Sequence, residues 1–269
     1  MIQPVDVYAR WSALFVKIRA RVDEICAETE AGATALIAGN PRDPLALKTA
    51  MQALNARVDE IERKIERTWN AERLDSVEGP GGVRVPAPQS AYDERHATEQ
   101  YVQETWTRCK MRSFARFLRA MWPLVEAELR KEVACAQCGA SLRPARRDRI
   151  ESLACPHCHA LNQYLPDVLI TTWFNEAPAG FALERHLEQR LAVLRAAREV
   201  ERWREAEYRR TRERPDEPPE SRQRREQLAR AYHTAFVAAK AEILPATAEE
   251  QAAEIERLVR NLGPSLDGS

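Results

Sequence analysis

Apolar positions recur at steps of three and four along most of this 269-residue chain, and the breaks between those stripes divide it into helices. Trp11, Leu14, Phe15, Ile18, Val22 and Ile25 share one face of a first helix expected over about Val5–Glu30, with Cys26 at the edge of the stripe as a small core residue. Gly39-Asn40-Pro41 ends the pattern. Asp43-Pro44 restarts it with an N-cap residue and a proline at the first helical position. Leu47, Met51, Leu54, Val58, Ile61 and Ile65 then repeat without a miss, with charged outer faces that include an expected Glu60–Lys64 pair. Such a narrow seam takes one partner helix, either the first helix of the same chain or a second copy.

Residues 76–91 hold glycines and prolines and read as a linker or long loop. They lack the Gly-Lys-Ser/Thr ending of a phosphate loop and the glycine spacing of a dinucleotide turn. A long helix is expected from about Tyr92 to Val133. Its stripe is Val102, Trp106, Cys109, Phe114, Phe117, Met121, Val125 and Leu129, with a kink or break near Trp122-Pro123. Cys109 reads as core. Farther on, Val168, Leu169, Trp173 and Phe174 begin another helix, which Pro178-Ala179-Gly180 is expected to interrupt. A helix over about Phe181–Arg214 follows, buried through Leu183, Leu187, Leu191 and Leu194. Its second half is nearly all Arg and Glu, with Val200, Trp203 and Tyr208 as sparse contacts and Glu205–Arg209 as a local pair, so it is expected to project into solvent or rest on a partner. Beyond Pro215–Pro219 come two helices. The first carries Leu228, Ala231, Tyr232, Phe236 and Ile243. The second opens with a Thr247/Glu250 capping box, carries Ile255, Leu258, Val259 and Leu262, and stops at Gly263-Pro264.

Between these helical halves lies the strongest chemical signal. Cys135-Ala136-Gln137-Cys138 and Cys155-Pro156-His157-Cys158 are two Cys-x-x-Cys turns separated by sixteen residues. Each turn can put two thiolates on one metal, and together they complete a closed tetrahedral shell. Gly139 follows the first pair, where a knuckle needs tolerance of positive φ. The stretch Cys-x-x-Cys-Gly-Ala-x-Leu, a short hairpin, then Cys-Pro-x-Cys-x-Ala-x-Asn resembles a zinc ribbon of bacterial type, covering about residues 134–165. The resemblance implies a structural Zn²⁺ on Cys135, Cys138, Cys155 and Cys158. The metal would substitute for a core that so short a segment cannot build, contributing on the order of 10 kcal/mol. His157 and His159 flank the last ligand and are expected to face solvent. The helices entering and leaving the ribbon start from one place, so they are expected to form an antiparallel pair capped by it.

The expected organisation is an N-terminal helical hairpin (1–75), the linker (76–91), the long kinked helix (92–133), the ribbon (134–165), a helix plus a long Arg/Glu-rich helix (166–214), a proline-rich linker (215–219) and a C-terminal helical hairpin (220–269). The fold class is mostly α, with long amphipathic, coiled-coil-like helices and the small β hairpin of the ribbon inserted between two of them.

Composition adds constraints. Lys+Arg and Asp+Glu are equal at 41, so no overall field draws the chain to nucleic acid. Paired knuckles with two stray thiols fit a reducing, cytoplasmic setting rather than a disulfide framework. No apolar run nears the roughly 20 residues that span a bilayer, and the N-terminus lacks a signal-peptide core. No membrane partner is expected. The loop between the knuckles carries Arg143, Arg146, Arg147 and Arg149 against Asp148 alone, a candidate contact for phosphates or a partner. No aromatic residue is interleaved with them. His-Glu-x-x-His, Gly-x-Ser-x-Gly and a His-x-Glu ahead of Pro-Cys-x-x-Cys are missing, and His96, His186 and His233 stand singly as surface or boundary residues.

The leading expectation is therefore not an enzyme but a helical protein–protein interaction or assembly protein with a structural ribbon, binding a protein partner or itself through helical seams. The second is a transcription-associated or nucleic-acid-binding factor. A helical hairpin followed by a four-cysteine finger resembles the DksA-type factors that enter the RNA-polymerase secondary channel. Those are shorter and have an acidic coiled-coil tip, where this chain has a Gly/Pro-rich loop. The third is an enzyme with a zinc-stapled accessory domain.

Overall fold

The computed structural model describes residues 4–71, 76–78, 84–86, 88–213 and 215–261. Its axis is α3 (Gln89–Leu129), a 41-residue helix about 60 Å long at ~1.5 Å per residue. α1 (Pro4–Gly39) lies parallel to it. The direction follows from Ser12 bonding Glu94, Tyr101 bonding Asp23, and Arg116 donating to the Glu30 carbonyl, partners that advance together along both helices. α2 (Pro44–Ala71) returns antiparallel across both. Asn55 accepts from Trp106 Nε1 at 2.7 Å, and Trp69 packs edge-on against both Trp11 and Tyr92.

The heptad seam therefore turns inward. Leu47, Met51, Val58 and Ile65 are buried in the same core as Phe15, Val22 and Ile25 of α1 and Val102 and Phe117 of α3. Asp43 caps α2 by accepting from the Ala46 N–H, as its position before Pro44 predicts. Glu60 departs from expectation, taking Arg63 and Arg67 rather than Lys64. The first helix is also longer than its stripe predicts. Ala33, Leu36 and Ile37 keep packing on the core, so it runs past Glu30 to Gly39.

β1 (Ser76–Glu78) and β2 (Arg84–Pro86) pair antiparallel, so the expected linker at 76–91 contains a short ladder, and its last residues already belong to α3, which starts at Gln89 rather than Tyr92. α3 runs through Pro123 without a break. Pro123 is on the exposed side, where the carbonyl deprived of its N–H partner meets water. The helix stops at Leu129, because Val133 already belongs to β3 (Val133–Ala134), which pairs with β4 (Ser141–Leu142). β5 (Glu151–Ala154) and β6 (Leu161–Tyr164) form a second antiparallel hairpin.

α4 (Val168–Arg185) and α5 (Leu187–Thr211) run back along the whole of α3. Trp173 Nε1 donates to the Leu118 carbonyl at 3.1 Å, Arg108 meets Glu188, Arg195 meets Glu104, and Arg95 meets Glu205, in descending order along α3. The antiparallel pair around the ribbon is thus present, with two corrections. Pro178-Ala179-Gly180 does not interrupt α4, because Gly180 is a contact residue: a Cβ there would lie 2.5 Å from Leu118 Cδ1. The break falls instead at His186. The Arg/Glu-rich half of α5 does not project either. It lies on α3, and the Glu205 carboxylate reaches Arg95 and His96 rather than Arg209.

α6 (Pro219–Ile243) returns along α5, with Arg224 on Glu199 and Arg190 near Tyr232, and α7 (Ala248–Arg260) packs on α6. The expected capping box at Thr247 and Glu250 is present. The proline-rich link before α6 is held by Glu217, buried and gripped through two bonds by Arg225. Gly263-Pro264 and Leu262 lie outside the described residues. None of the described helices is long and apolar enough to cross a membrane.

Candidate metal centre

Each Cys-x-x-Cys is the turn of its own hairpin, rather than the flank of a single hairpin lying between the two pairs. The two turns share a hydrogen-bond pattern. The Cys135 N–H donates to the Ala140 carbonyl at 2.8 Å and the Gly139 N–H to the Cys135 carbonyl at 2.9 Å. In the second turn, Cys155 donates to Ala160 at 2.9 Å and His159 to Cys155 at 3.0 Å. This closure needs a left-handed residue after the second cysteine. Gly139 has φ +74°, and His159 takes φ +58° at the equivalent place.

The hairpins face each other and bring all four Sγ atoms within 4.8 Å of one another. Cys135 and Cys158 are 3.6 Å apart, as are Cys138 and Cys155. A tetrahedral metal with ~2.3 Å metal–sulfur bonds has edges of about 3.8 Å. The cluster can thus hold one metal ion, with the four ligands named from the sequence. His157 and His159 are exposed and stand outside the ligand set.

The backbone prepares half of the cluster for anionic sulfur. The N–H groups of Cys138 and Gln137 bring the Cys135 thiol down to about 6, and those of Cys158 and His157 lower Cys155. Cys138 is pushed up to about 12. The Ala140 N–H acts to lower it, but the thiols of Cys158, Cys155 and Cys135 outweigh that effect. Four thiolates this close need a cation among them, which is what a metal supplies.

Asn162 joins the two turns. Its Oδ1 accepts from the Ala136 N–H at 2.9 Å, while its Nδ2 donates to the Ala160 carbonyl at 3.0 Å and approaches Cys135 Sγ at 3.5 Å. The equivalent position of the first turn is Leu142, which is buried beneath the cysteines. The sequence motif contains Asn162, but spacing does not reveal that it bridges two turns.

The four loop arginines do not act as one patch. Arg147 folds back onto the end of α3 and donates to the carbonyls of Leu129 and Lys131, the latter at 2.7 Å, while Tyr164 OH donates to its own carbonyl. It thereby satisfies the terminal Leu129 carbonyl, which has no partner within the helix, and the Lys131 carbonyl just beyond it. Arg146 and Arg149 both lean on Asp148, at 2.8 and 3.5 Å. Arg143 is exposed.

Away from the ribbon, His96 is no ordinary surface residue. It is wedged between Glu99 and Glu205 at 3.5 and 3.0 Å, on the α3–α5 seam. Burial lowers its pKa, but bonds to Glu205 and Glu99 outweigh this and leave it raised. His233 is lowered, first by burial and then by Arg190. Cys26 and Cys109 are both free, as core residues between α1 and α3.

Compared with family models, with curated proteins and with solved structures, the chain gives no match.

Proposed function

We propose that this chain is a non-catalytic assembly protein whose helical platform carries a zinc-bound ribbon as a docking head for another protein. The metal is zinc in this reading because four cysteines in a tetrahedral array form a typical structural zinc site and leave no position for substrate.

The observation that carries the docking role is the outer face of the second hairpin. Side chains alternate across a strand pair, and here one face holds the cross-strand pairs Ser152–Gln163 and Ala154–Leu161. Ile150 and Leu165 continue the alternation just beyond the ladder. Leu161 is 76% exposed, Leu165 64% and Ile150 63%. Among the described residues, only six large apolar side chains exceed 60% exposure, and these are three of them. A face without charge, in a chain that is 30% charged, is an interaction surface by its chemistry. Arg143 is exposed in the loop between the knuckles, so the partner is a protein segment with apolar residues and a flanking carboxylate.

Nucleic acid draws less support. Arg147 is committed to the carbonyls of Leu129 and Lys131 at and just beyond the end of α3, and Asp148 takes two further arginines. Zinc on four thiolates also adds two net negative charges beside the loop.

The test is to pan the zinc-loaded chain against a random displayed-peptide library. The expected winners combine Leu, Ile or Phe with flanking Asp or Glu, and lose binding on Leu161→Asp and on chelation. Peptides that bind the Leu161→Asp chain equally, or a chain purified with intact thiols but without zinc, would reject the proposal.

A further inference from the structure

Several half-buried cations in this chain are paired with carboxylates. Arg95 holds Glu99, Arg108 and Arg195 share Glu104, Arg198 reaches Glu99 and Glu62, and Arg225 grips Glu217. Lys110 and Arg190 have no ion pair among the described residues and, unlike Arg19 on Thr98, Arg147 on the Lys131 carbonyl and Arg209 over the Tyr92 ring, no close partner of another kind. Lys110 Nζ has only a 3.5 Å approach to Asn55 Oδ1, an atom already taken by Trp106 Nε1 at 2.7 Å. Arg190 Nη1 has only a 3.5 Å approach to Tyr232 OH, and its Nε–H is buried without a partner.

Both side chains line one open groove of about 630 Å³ between α2, α3 and α5. Burial, followed by the charge of Arg190, pushes the Lys110 pKa down, while Asp59 on α2 acts in the other direction. On α6, His233 is also lowered by burial and by Arg190. Two like charges have been drawn together in a half-buried position, and a buried guanidinium N–H has been left unbonded. With 41 acidic residues in the chain, carboxylates to neutralise them were not scarce.

We infer that the inner end of this groove binds a small carboxylate, held between Lys110 Nζ and the Arg190 guanidinium. The planar donor fork of arginine matches the two oxygens of a carboxylate. Asp59, Glu62, Glu66 and Glu99 line the same groove, and their charge disfavours a second negative charge on the ligand, which selects a singly charged anion over a phosphate dianion. Val58, Trp106 and Leu194 line the same groove and offer apolar surface to the body of the ligand.

The experiment is an NMR titration of the full-length, metal-loaded chain with sodium acetate, at constant ionic strength, read on the Arg190 Nε–H signal. A saturable shift is expected, weakened by about tenfold or more in Lys110→Gln. Without ligand, Lys110→Gln and Arg190→Gln are each expected to melt at or above the parent temperature, because each removes an unpaired charge. A purely structural role would lower it. A non-saturating shift that persists unchanged in Lys110→Gln overturns the site. Saturation by inorganic phosphate but not by acetate overturns the choice of carboxylate.

Discussion

Glu104 and Arg195, separated by 91 residues, meet through two parallel bonds, Nε to Oε1 at 2.7 Å and Nη2 to Oε2 at 2.6 Å. Glu104 is buried on α3, and Arg195 crosses to it from α5. Arg195 is the main reason that Glu104 sits at about 2; burial opposes the shift, and Gln100 and Arg108 add to it.

Truncating Arg195 to Leu leaves a buried carboxylate still touched by Arg108 and Gln100, so the cost is expected below the roughly 3–5 kcal/mol of a fully buried broken pair, at about 2 kcal/mol. Urea unfolding measures it. The sign with pH follows from a depressed carboxylate. Its contribution is present above the unfolded value of about 4.3 and disappears as pH falls through the folded value near 2. The stability gap between the parent and Glu104→Gln should be full at neutral pH and closed below the folded value. A gap independent of pH would mean that the charge of Glu104 is irrelevant to it.

His96 should behave in the opposite sense. Its folded pKa is raised by Glu205 and Glu99 against the effect of burial. The stability it contributes is therefore complete below the unfolded value of about 6.5 and lost as pH rises through the folded one. His96→Gln is expected to lower the denaturation midpoint near pH 5.5 and to have a progressively smaller effect as pH rises through the folded value. Direct titration of the His96 ring by NMR checks the raised value independently.

Gly180→Ala sets helix propensity against packing. In an exposed helix the change gains about 1 kcal/mol. Here the new methyl would meet Leu118 Cδ1 at 2.5 Å and Phe114 at 3.2 Å, at the contact that brings α4 onto α3. Overpacking of this kind costs about 1–3 kcal/mol, so a net loss is expected. The Leu118 tip can rotate, which places the loss toward the lower end. A gain in melting temperature would show that α4 sits farther from α3.

Arg147→Ala should separate a structural role from a binding one. The guanidinium closes the end of α3 through the Leu129 and Lys131 carbonyls, so its removal is expected to cost about 1–2 kcal/mol and to speed amide exchange across β3 to β6. Arg143→Ala and Arg146→Ala should leave stability within about 0.5 kcal/mol. A nucleic-acid assay on Arg146→Ala with Arg147→Ala would therefore confuse a loosened ribbon with a lost contact. Arg143→Ala with Arg149→Ala is the cleaner pair.

Short-range chemistry made much of this molecule legible from its residues. The helices follow from three-and-four spacing, the caps at Asp43 and Thr247 from side chains that reach their own backbone, and the cysteine cluster from two turns that each enforce their own geometry. Wherever a residue acts across the fold, the local rule gave the wrong answer. Gly180 reads as a helix breaker, and only the approach of α3 makes its lack of a side chain a packing requirement. The Arg/Glu run of α5 reads as solvated. Its carboxylates and guanidiniums find partners on α3 that no spacing within one helix could identify, and so it lies flat. Arg147 sits in a run of basic residues and turns out to be a helix cap, because the ribbon returns the chain to the end of α3. The isolation of Lys110 and Arg190 is the extreme case. Ion pairing depends on which charges three separate helices bring within a few ångströms, and the sequence determines the charges while only the packing determines which of them remain without a partner.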